Sequence, residues 1–178
     1  YSWIYRLMLY VGSLFYCFMG LFFLRKLLLK YFTEKITLLT LIIISLGTNY
    51  FYYVFYEGQM AHNYLFCLFA VFLFFTDKWI ETKNKRIILL LGFIFGIATM
   101  VRPTSALILF FPLLWQVNSF EKFRERILFF KQSLPFVLLA ILTVLLVWLP
   151  QLIYWKTQTG HFFSVIGNFV LFEAPRSK

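Results

Sequence analysis

Long apolar stretches alternate with short basic loops along most of this 178-residue chain. A helix needs roughly 20 apolar residues to cross the hydrocarbon core of a bilayer, and most of these stretches come close to that length. The pattern predicts an all-α fold, a polytopic transmembrane helix bundle. The predicted spans cover residues 7–26, 36–56, 60–76, 87–101, 103–117 and 133–153. Residues 154–178 are expected to form an outer tail.

The basic residues predict the orientation of the spans. Loops 25–35, 77–86 and 118–132 each carry four Lys or Arg residues, so the positive-inside rule places them in the cytoplasm. Loop 57–63 carries none and is expected outside. Tryptophans near the predicted span ends, and tyrosines around the outer loop, match the aromatic belts of membrane proteins.

The block 87–117 is apolar except at Arg102-Pro103. Both of its flanks are predicted to be cytoplasmic, so it must cross an even number of times. Each half of about 15 residues rises about 22 Å, less than the roughly 30 Å hydrocarbon core. We therefore predict a short helical hairpin with an outward-pointing, recessed tip, six crossings in all, and both chain ends outside. The alternative, one Pro-kinked helix, would put loop 118–132 outside.

Composition supports a membrane protein over a soluble one. The chain is 62% hydrophobic and only 13% charged, too apolar for a soluble domain of this size. Its net charge of +10 is spread over the loops, which is typical of membrane loops rather than of a nucleic-acid surface. The chain has no phosphate-binding loop or paired-cysteine motif, and its two histidines give no metal site. No cofactor is evident from the sequence, and a divalent metal requirement stays open.

Arg102 is the first candidate for a binding residue, because a charge inside an apolar segment is costly and often functional. Pro103 suits the first position of a helix, and Thr104 and Ser105 would add hydroxyls to its first turn. A guanidinium at a helix N-terminus is a favourable phosphate site. The alternative is an Arg that reaches the interface and has no chemical role.

Four further residues are candidates on the predicted outer face. Lys156, just after the last span, would be a second cation for the same anion, or an ordinary contact to lipid headgroups. Glu57 and His62 lie on the short outer loop and would line the sugar or acceptor side, together with Tyr154. The alternative for the loop is a solvated turn bounded by aromatic residues.

Three segments, taken in order, resemble parts of the GT-C superfamily of membrane glycosyltransferases. They are "SLGTNYFYYVFYEGQMAHNYLFCLFAVFLF" (45–74), "GFIFGIATMVRPTSALILFFPLLW" (92–115) and "PQLIYWKTQTGHFFSVIG" (150–167). The closest likeness is to glycosyltransferase family 39, the group of dolichyl-phosphate-mannose protein mannosyltransferases and aminoarabinose transferases.

The resemblance implies an extracytoplasmic active site and a catalytic Asp on the first large outer loop. Asp77, the chain's one Asp, is predicted to be cytoplasmic. The catalytic Asp is therefore expected outside residues 1–178. These residues would form a single transmembrane domain, an internal fragment of a larger membrane core. No catalytic residue is then expected within this chain.

The expected function is transfer of a sugar from a polyprenyl-phosphate donor to a lipid, protein or glycan acceptor. This would take place in the cell (inner) membrane, without nucleic acid as a partner. The alternatives are a transporter or polymerase of lipid-linked saccharides, or a non-catalytic membrane subunit.

Overall fold

The computed structural model describes residues 3–58 and 60–160, which are helical with short connections and contain no strand. The eight α-helices of this part of the chain are α1 Trp3–Leu28, α2 Glu34–Gly47, α3 Tyr50–Phe55, α4 Ala61–Thr82, α5 Lys85–Val101, α6 Phe110–Leu114, α7 Phe120–Gln132 and α8 Leu134–Thr159. A 3-10 helix, Pro103–Leu109, joins α5 to α6. The predicted all-α class is confirmed.

Two of the described helices, α1 and α8, are long and apolar enough to cross a membrane. A bundle of six crossings is not established by this criterion and remains a prediction. The other helices are shorter or more polar. For example, α5 has 17 residues, and α4 carries His62 and Asn63 in its first turn.

The predicted span 36–56 is divided into two helices. Thr48 adopts an extended conformation between α2 and α3, and its hydroxyl accepts a hydrogen bond from the backbone N–H of Tyr50 at 3.1 Å. A side chain that bonds the local backbone in this way competes with the helix. Gly47, which favours helix ends, precedes this break.

Residues 118–132, expected as a loop, contain α7. Ser119 caps this helix, because its hydroxyl accepts a hydrogen bond from the backbone N–H of Lys122 at 3.2 Å. Glu121 lies in the first turn, where a negative charge is favourable. Ser119 and Glu121 are recognisable in the sequence as signals for the start of a helix. The loop prediction used only the basic residues of this segment, and so it missed the helix.

The last helix is longer than expected. It continues through Pro150 to Thr159, so the first residues of the predicted outer tail are helical. Gly160 ends it in a left-handed conformation, φ 77°, which glycine adopts without strain. The rest of the predicted tail, residues 161–178, lies outside the described residues.

Contacts between helices give the direction of each one. Ser13 of α1 and Lys30, two residues after the end of α1, contact Asn63 and Asp77 of α4, so these two helices run parallel. The turn at Lys83 and Asn84 reverses the chain into α5. The bundle therefore has two ends, which we call the Asp77 end and the Arg102 end.

The chain reverses again at Arg102. This residue is extended, φ −151° and ψ 112°, and separates α5 from the 3-10 helix. At the far end of the returning arm, the indole N–H of Trp115 donates to the Asp77 carboxylate at 2.9 Å. Residues 85–115 thus form a hairpin with Arg102 at its tip, whereas a single kinked helix would carry Trp115 away from Asp77.

Two glycines bring α5 close to α8. A Cβ atom added at Gly92 would lie 2.7 Å from the backbone oxygen of Ala140, and one at Gly96 would lie 2.9 Å from Cβ of Val147. The residue number increases from Gly92 to Gly96 on α5 and from Ala140 to Val147 on α8, so α8 runs parallel to α5. The GxxxG pattern predicts such close packing, and the structure assigns α8 as the partner.

A cluster of hydrogen-bonded polar side chains lies at the Asp77 end. The buried carboxylate of Asp77 accepts hydrogen bonds from Lys30, Tyr31 and Trp115, and so connects α4 to the turn after α1 and to the hairpin. Burial by itself would raise the pKa of Asp77, but these bonds and the Lys30 charge hold it below its ordinary value. Lys30 also pairs with Glu81, 2.8 Å away.

Candidate anion site at the Arg102 end

The guanidinium of Arg102 is placed by the hairpin tip. The Arg102 backbone N–H donates to the Ala98 carbonyl at 3.0 Å, and its carbonyl accepts from the Ser105 N–H at 2.9 Å, while the residue itself is exposed. These two bonds fix the backbone on both sides of the turn. The side chain therefore extends from a rigid point at the end of the bundle.

The helix after Arg102 differs from the expected one. Pro103 does occupy a first-turn position, but residues 103–109 form a seven-residue 3-10 helix rather than the start of a long α-helix. The 3-10 geometry aligns hydrogen bonds less well than an α-helix does. Attraction for an anion at this point therefore comes from the guanidinium and not from an α-helix dipole.

A groove of about 490 Å³ lies beside Arg102. Polar side chains line part of it: Arg102, Thr104 and Ser105 from the hairpin tip, and His62 from α4. The remaining lining is apolar: Leu65, Phe66, Phe69, Leu107 and Ile108. The groove thus joins a cation and hydroxyls to an apolar wall.

An aromatic contact positions His62 in the lining of this groove. Its ring stacks on Tyr53 of α3, with centroids 4.3 Å apart and planes 29° apart. The structure therefore brings His62 and Arg102 to the same groove, while their assignment to the outer face stays a prediction.

Glu57 lies elsewhere, in a second cavity of about 380 Å³. This cavity is also lined by Arg6, Tyr10 and Tyr56, and the Glu57 carboxylate accepts a hydrogen bond from the Tyr52 hydroxyl at 3.3 Å. Glu57 and His62 therefore do not line a common cavity. Arg6 was not predicted, because a single basic residue before the first span is indistinguishable from an interfacial anchor.

Lys156 and Tyr154 lie at the same end of the bundle, because α8 runs parallel to α5. The ammonium of Lys156 donates to the Gly160 carbonyl at 2.9 Å, and Tyr154 is exposed. Neither residue lines the groove beside Arg102. The structure thus places them at the Arg102 end without bringing them to the candidate anion site.

A buried hydrogen-bond network supports this end of the bundle. The side-chain amide of Asn63 donates to the carbonyl of Ser13 at 2.6 Å and to its hydroxyl at 2.9 Å. The Tyr50 hydroxyl donates to the Asn63 oxygen at 2.8 Å, and the Ser13 hydroxyl donates to the Val54 carbonyl at 3.1 Å. The network links α1, α3 and α4, and so fixes Tyr53 and His62 relative to each other.

Among the described residues, no group of three His, Cys, Asp or Glu side chains could hold a metal ion. Searches against protein-family models, curated proteins and solved structures found no match.

Proposed function

We propose that this chain is part of a multi-pass protein of the cell (inner) membrane, with the Arg102 end on the extracytoplasmic face. Six helical segments alternate in direction: α1, α2 with α3, α4, α5, the returning arm 103–115, and α8. The basic loops and α7 gather at the Asp77 end, where the positive-inside rule requires them in the cytoplasm. This arrangement supports the six crossings expected from the sequence.

In this orientation the groove beside Arg102 binds the phosphate of a polyprenyl-phosphate sugar. The observation that carries the proposal is the combination of Arg102, Thr104 and His62 with an apolar wall in one groove. A guanidinium and hydroxyls suit phosphate oxygens, and the apolar wall suits an isoprenoid chain. A free sugar or a soluble anion would leave that wall without a partner.

The reaction we propose is glycosyl transfer. An acceptor hydroxyl attacks the anomeric carbon of the sugar, gives its proton to the catalytic Asp expected outside residues 1–178, and displaces the polyprenyl phosphate as leaving group. As the sugar–phosphate bond breaks, negative charge grows on the phosphate oxygen. A cation fixed beside that oxygen stabilises the transition state more than the ground state. Arg102 is assigned to this role, with His62 on the sugar side. The resemblance to family 39 glycosyltransferases favours a transferase over a transporter or polymerase of lipid-linked saccharides.

Binding of a long-chain polyprenyl phosphate to the detergent-purified chain tests the proposal. We expect Arg102→Ala to weaken binding about 10- to 100-fold, the loss expected for a charge-assisted hydrogen bond. Arg102→Lys should keep part of the affinity, since Lys retains the charge but not the planar fork. The matched control is Arg25→Ala, an exposed Arg at the opposite end.

Polyprenol without phosphate serves as the second ligand. The proposal requires the unmodified chain to prefer the phosphate, and Arg102→Ala to remove most of that preference. Equal binding of both ligands, or an equal loss in Arg102→Ala and Arg25→Ala, would show that the groove does not hold the phosphate.

A further inference from the structure

A separate apolar cavity of about 240 Å³ lies nearer the Asp77 end. Its walls come from α4, α5, α8, the returning arm of the hairpin and Phe130 of α7. Apolar cavities of about 150 Å³ in proteins already take up a molecule the size of benzene. This cavity is large enough for part of an acyl chain.

Two polar groups of the lining residues have no hydrogen-bond partner. Thr76 and Trp79 lie one turn apart on α4, each 1% exposed, and both line the cavity. The Thr76 hydroxyl and the Trp79 indole N–H are buried and unpaired. An unpaired buried donor is unfavourable. Neither atom is reachable from the cavity, whose accessible surface is entirely apolar, so the cavity suits a hydrocarbon chain.

The cavity reaches the outer surface of the bundle between the hairpin and α8. Leu109 and Ile141, which line it on these two elements, are 45% and 49% exposed. In the membrane orientation proposed above, this surface faces lipid. A lipid chain could therefore enter from the side without crossing the protein.

Basic residues lie next to the inner end of the cavity. Trp79 contacts Phe129 and Phe130 of α7, with ring centroids 5.3 and 6.1 Å apart. Phe129 also lines an adjacent cavity of about 320 Å³, together with Lys122, Arg126 and Glu125. Lys83 lies on the same ring, its ammonium 5.0 Å from the Phe129 centroid. Three cations against one carboxylate favour an anion here.

We infer that this part of the bundle binds one anionic phospholipid of the inner leaflet. Part of one acyl chain occupies the cavity, and the phosphate lies against Lys122 and Arg126 of α7. The inference rests on the proposed membrane location but not on the proposed sugar donor, because Arg102 lies at the opposite end.

Lipid retention measured by native mass spectrometry tests the headgroup. The unmodified chain should retain phosphatidylglycerol over phosphatidylcholine. Lys122→Glu should reduce retention of phosphatidylglycerol about tenfold, as expected for one charge-assisted contact. The control is Lys131→Glu, the same charge change on an exposed residue of α7 outside the cavity. Arg126 is left intact because it also donates to the Trp115 carbonyl.

An equal loss in the two Lys variants would mean diffuse attraction to α7 and would overturn the headgroup site. Arg102→Ala should leave phosphatidylglycerol retention unchanged. A failure of polyprenyl-phosphate binding would therefore contradict the proposed function, whereas a failure of phospholipid binding would contradict only the inferred lipid site.

The acyl chain is tested by filling the cavity. Val144→Phe adds a ring to a cavity-lining position of α8 and should reduce retention about tenfold. Leu145→Phe, on the exposed side of the same helix, should not. Unchanged retention in Val144→Phe, or an equal loss in Leu145→Phe, would refute the acyl-chain site.

Discussion

The close approach of α5 and α8 makes the Gly92→Ala substitution a sensitive test of the fold. The new Cβ would lie 2.7 Å from the Ala140 backbone oxygen, whereas ordinary contacts begin at 3.4 Å. Because that oxygen belongs to a helix backbone, it cannot rotate away. The two helices must separate by about 0.7 Å at this point, and a gap of this size costs neighbouring contacts a quarter to a half of their attraction.

The cost of this steric clash is partly offset by a gain in helix propensity. Replacing a mid-helix Gly by Ala stabilises a helix by about 0.5–1 kcal/mol. Overpacking a tight interface costs about 1–3 kcal/mol. We therefore expect Gly92→Ala to lower the free energy of unfolding by about 1 kcal/mol, the difference between the middle values of these two ranges. Gly12→Ala on α1 is the matched control: its Cβ would have no neighbour within 4 Å, so it should stabilise the protein by the propensity gain alone.

The free thiol of Cys67 provides the assay. It is 1% exposed in the folded chain, so it should react with a maleimide only after the bundle opens. Unfolding by SDS in mixed micelles, followed through this reaction, should show opposite shifts for the two Ala variants. If Gly92→Ala and Gly12→Ala were both stabilising by a similar amount, α5 and α8 would not be in the tight contact described.

Three further predictions concern the polar network, the Asp77 cluster and the topology. Because the Asp77 pKa is lowered, its ionised form stabilises the fold above the unfolded value of about 3.9, and this stability is lost as the pH falls. The thermal midpoint of the unmodified chain should drop below about pH 4 more steeply than that of Asp77→Asn; parallel pH profiles would contradict the cluster. Asn63→Ala should cost about 2 kcal/mol or more of unfolding free energy in the same SDS titration, because it leaves buried partners unpaired; a change below about 0.5 kcal/mol would show that water replaces the amide. In intact cells, a membrane-impermeant maleimide should label Thr104→Cys from outside but not Lys122→Cys, and the reverse result would overturn the proposed orientation.

Local features of the site were more predictable than the contacts between segments. The extended conformation of Arg102 and the placement of Pro103 in the first turn follow from proline stereochemistry, which acts on adjacent residues. The groove is different, because it needs α4 and the hairpin tip to meet. His62 and Arg102 are 40 positions apart, and no local rule predicts that they share one cavity while Glu57 faces another.

The sequence by itself determined the helical class, the two helices long and apolar enough to cross a membrane and the break at Arg102, because these depend on composition, hydrophobic length and backbone restriction. The basic loops also predicted that the chain reverses direction within residues 87–117. The hydrogen bond between Trp115 and Asp77 agrees with that reversal. Only the tertiary structure decided that Gly92 packs against α8, that Asp77 connects α4 to the turn after α1 and to the hairpin, and that α7 lies beside an apolar cavity. Each of these depends on side chains distant in sequence meeting at van der Waals or hydrogen-bond distance, which a one-dimensional pattern does not encode.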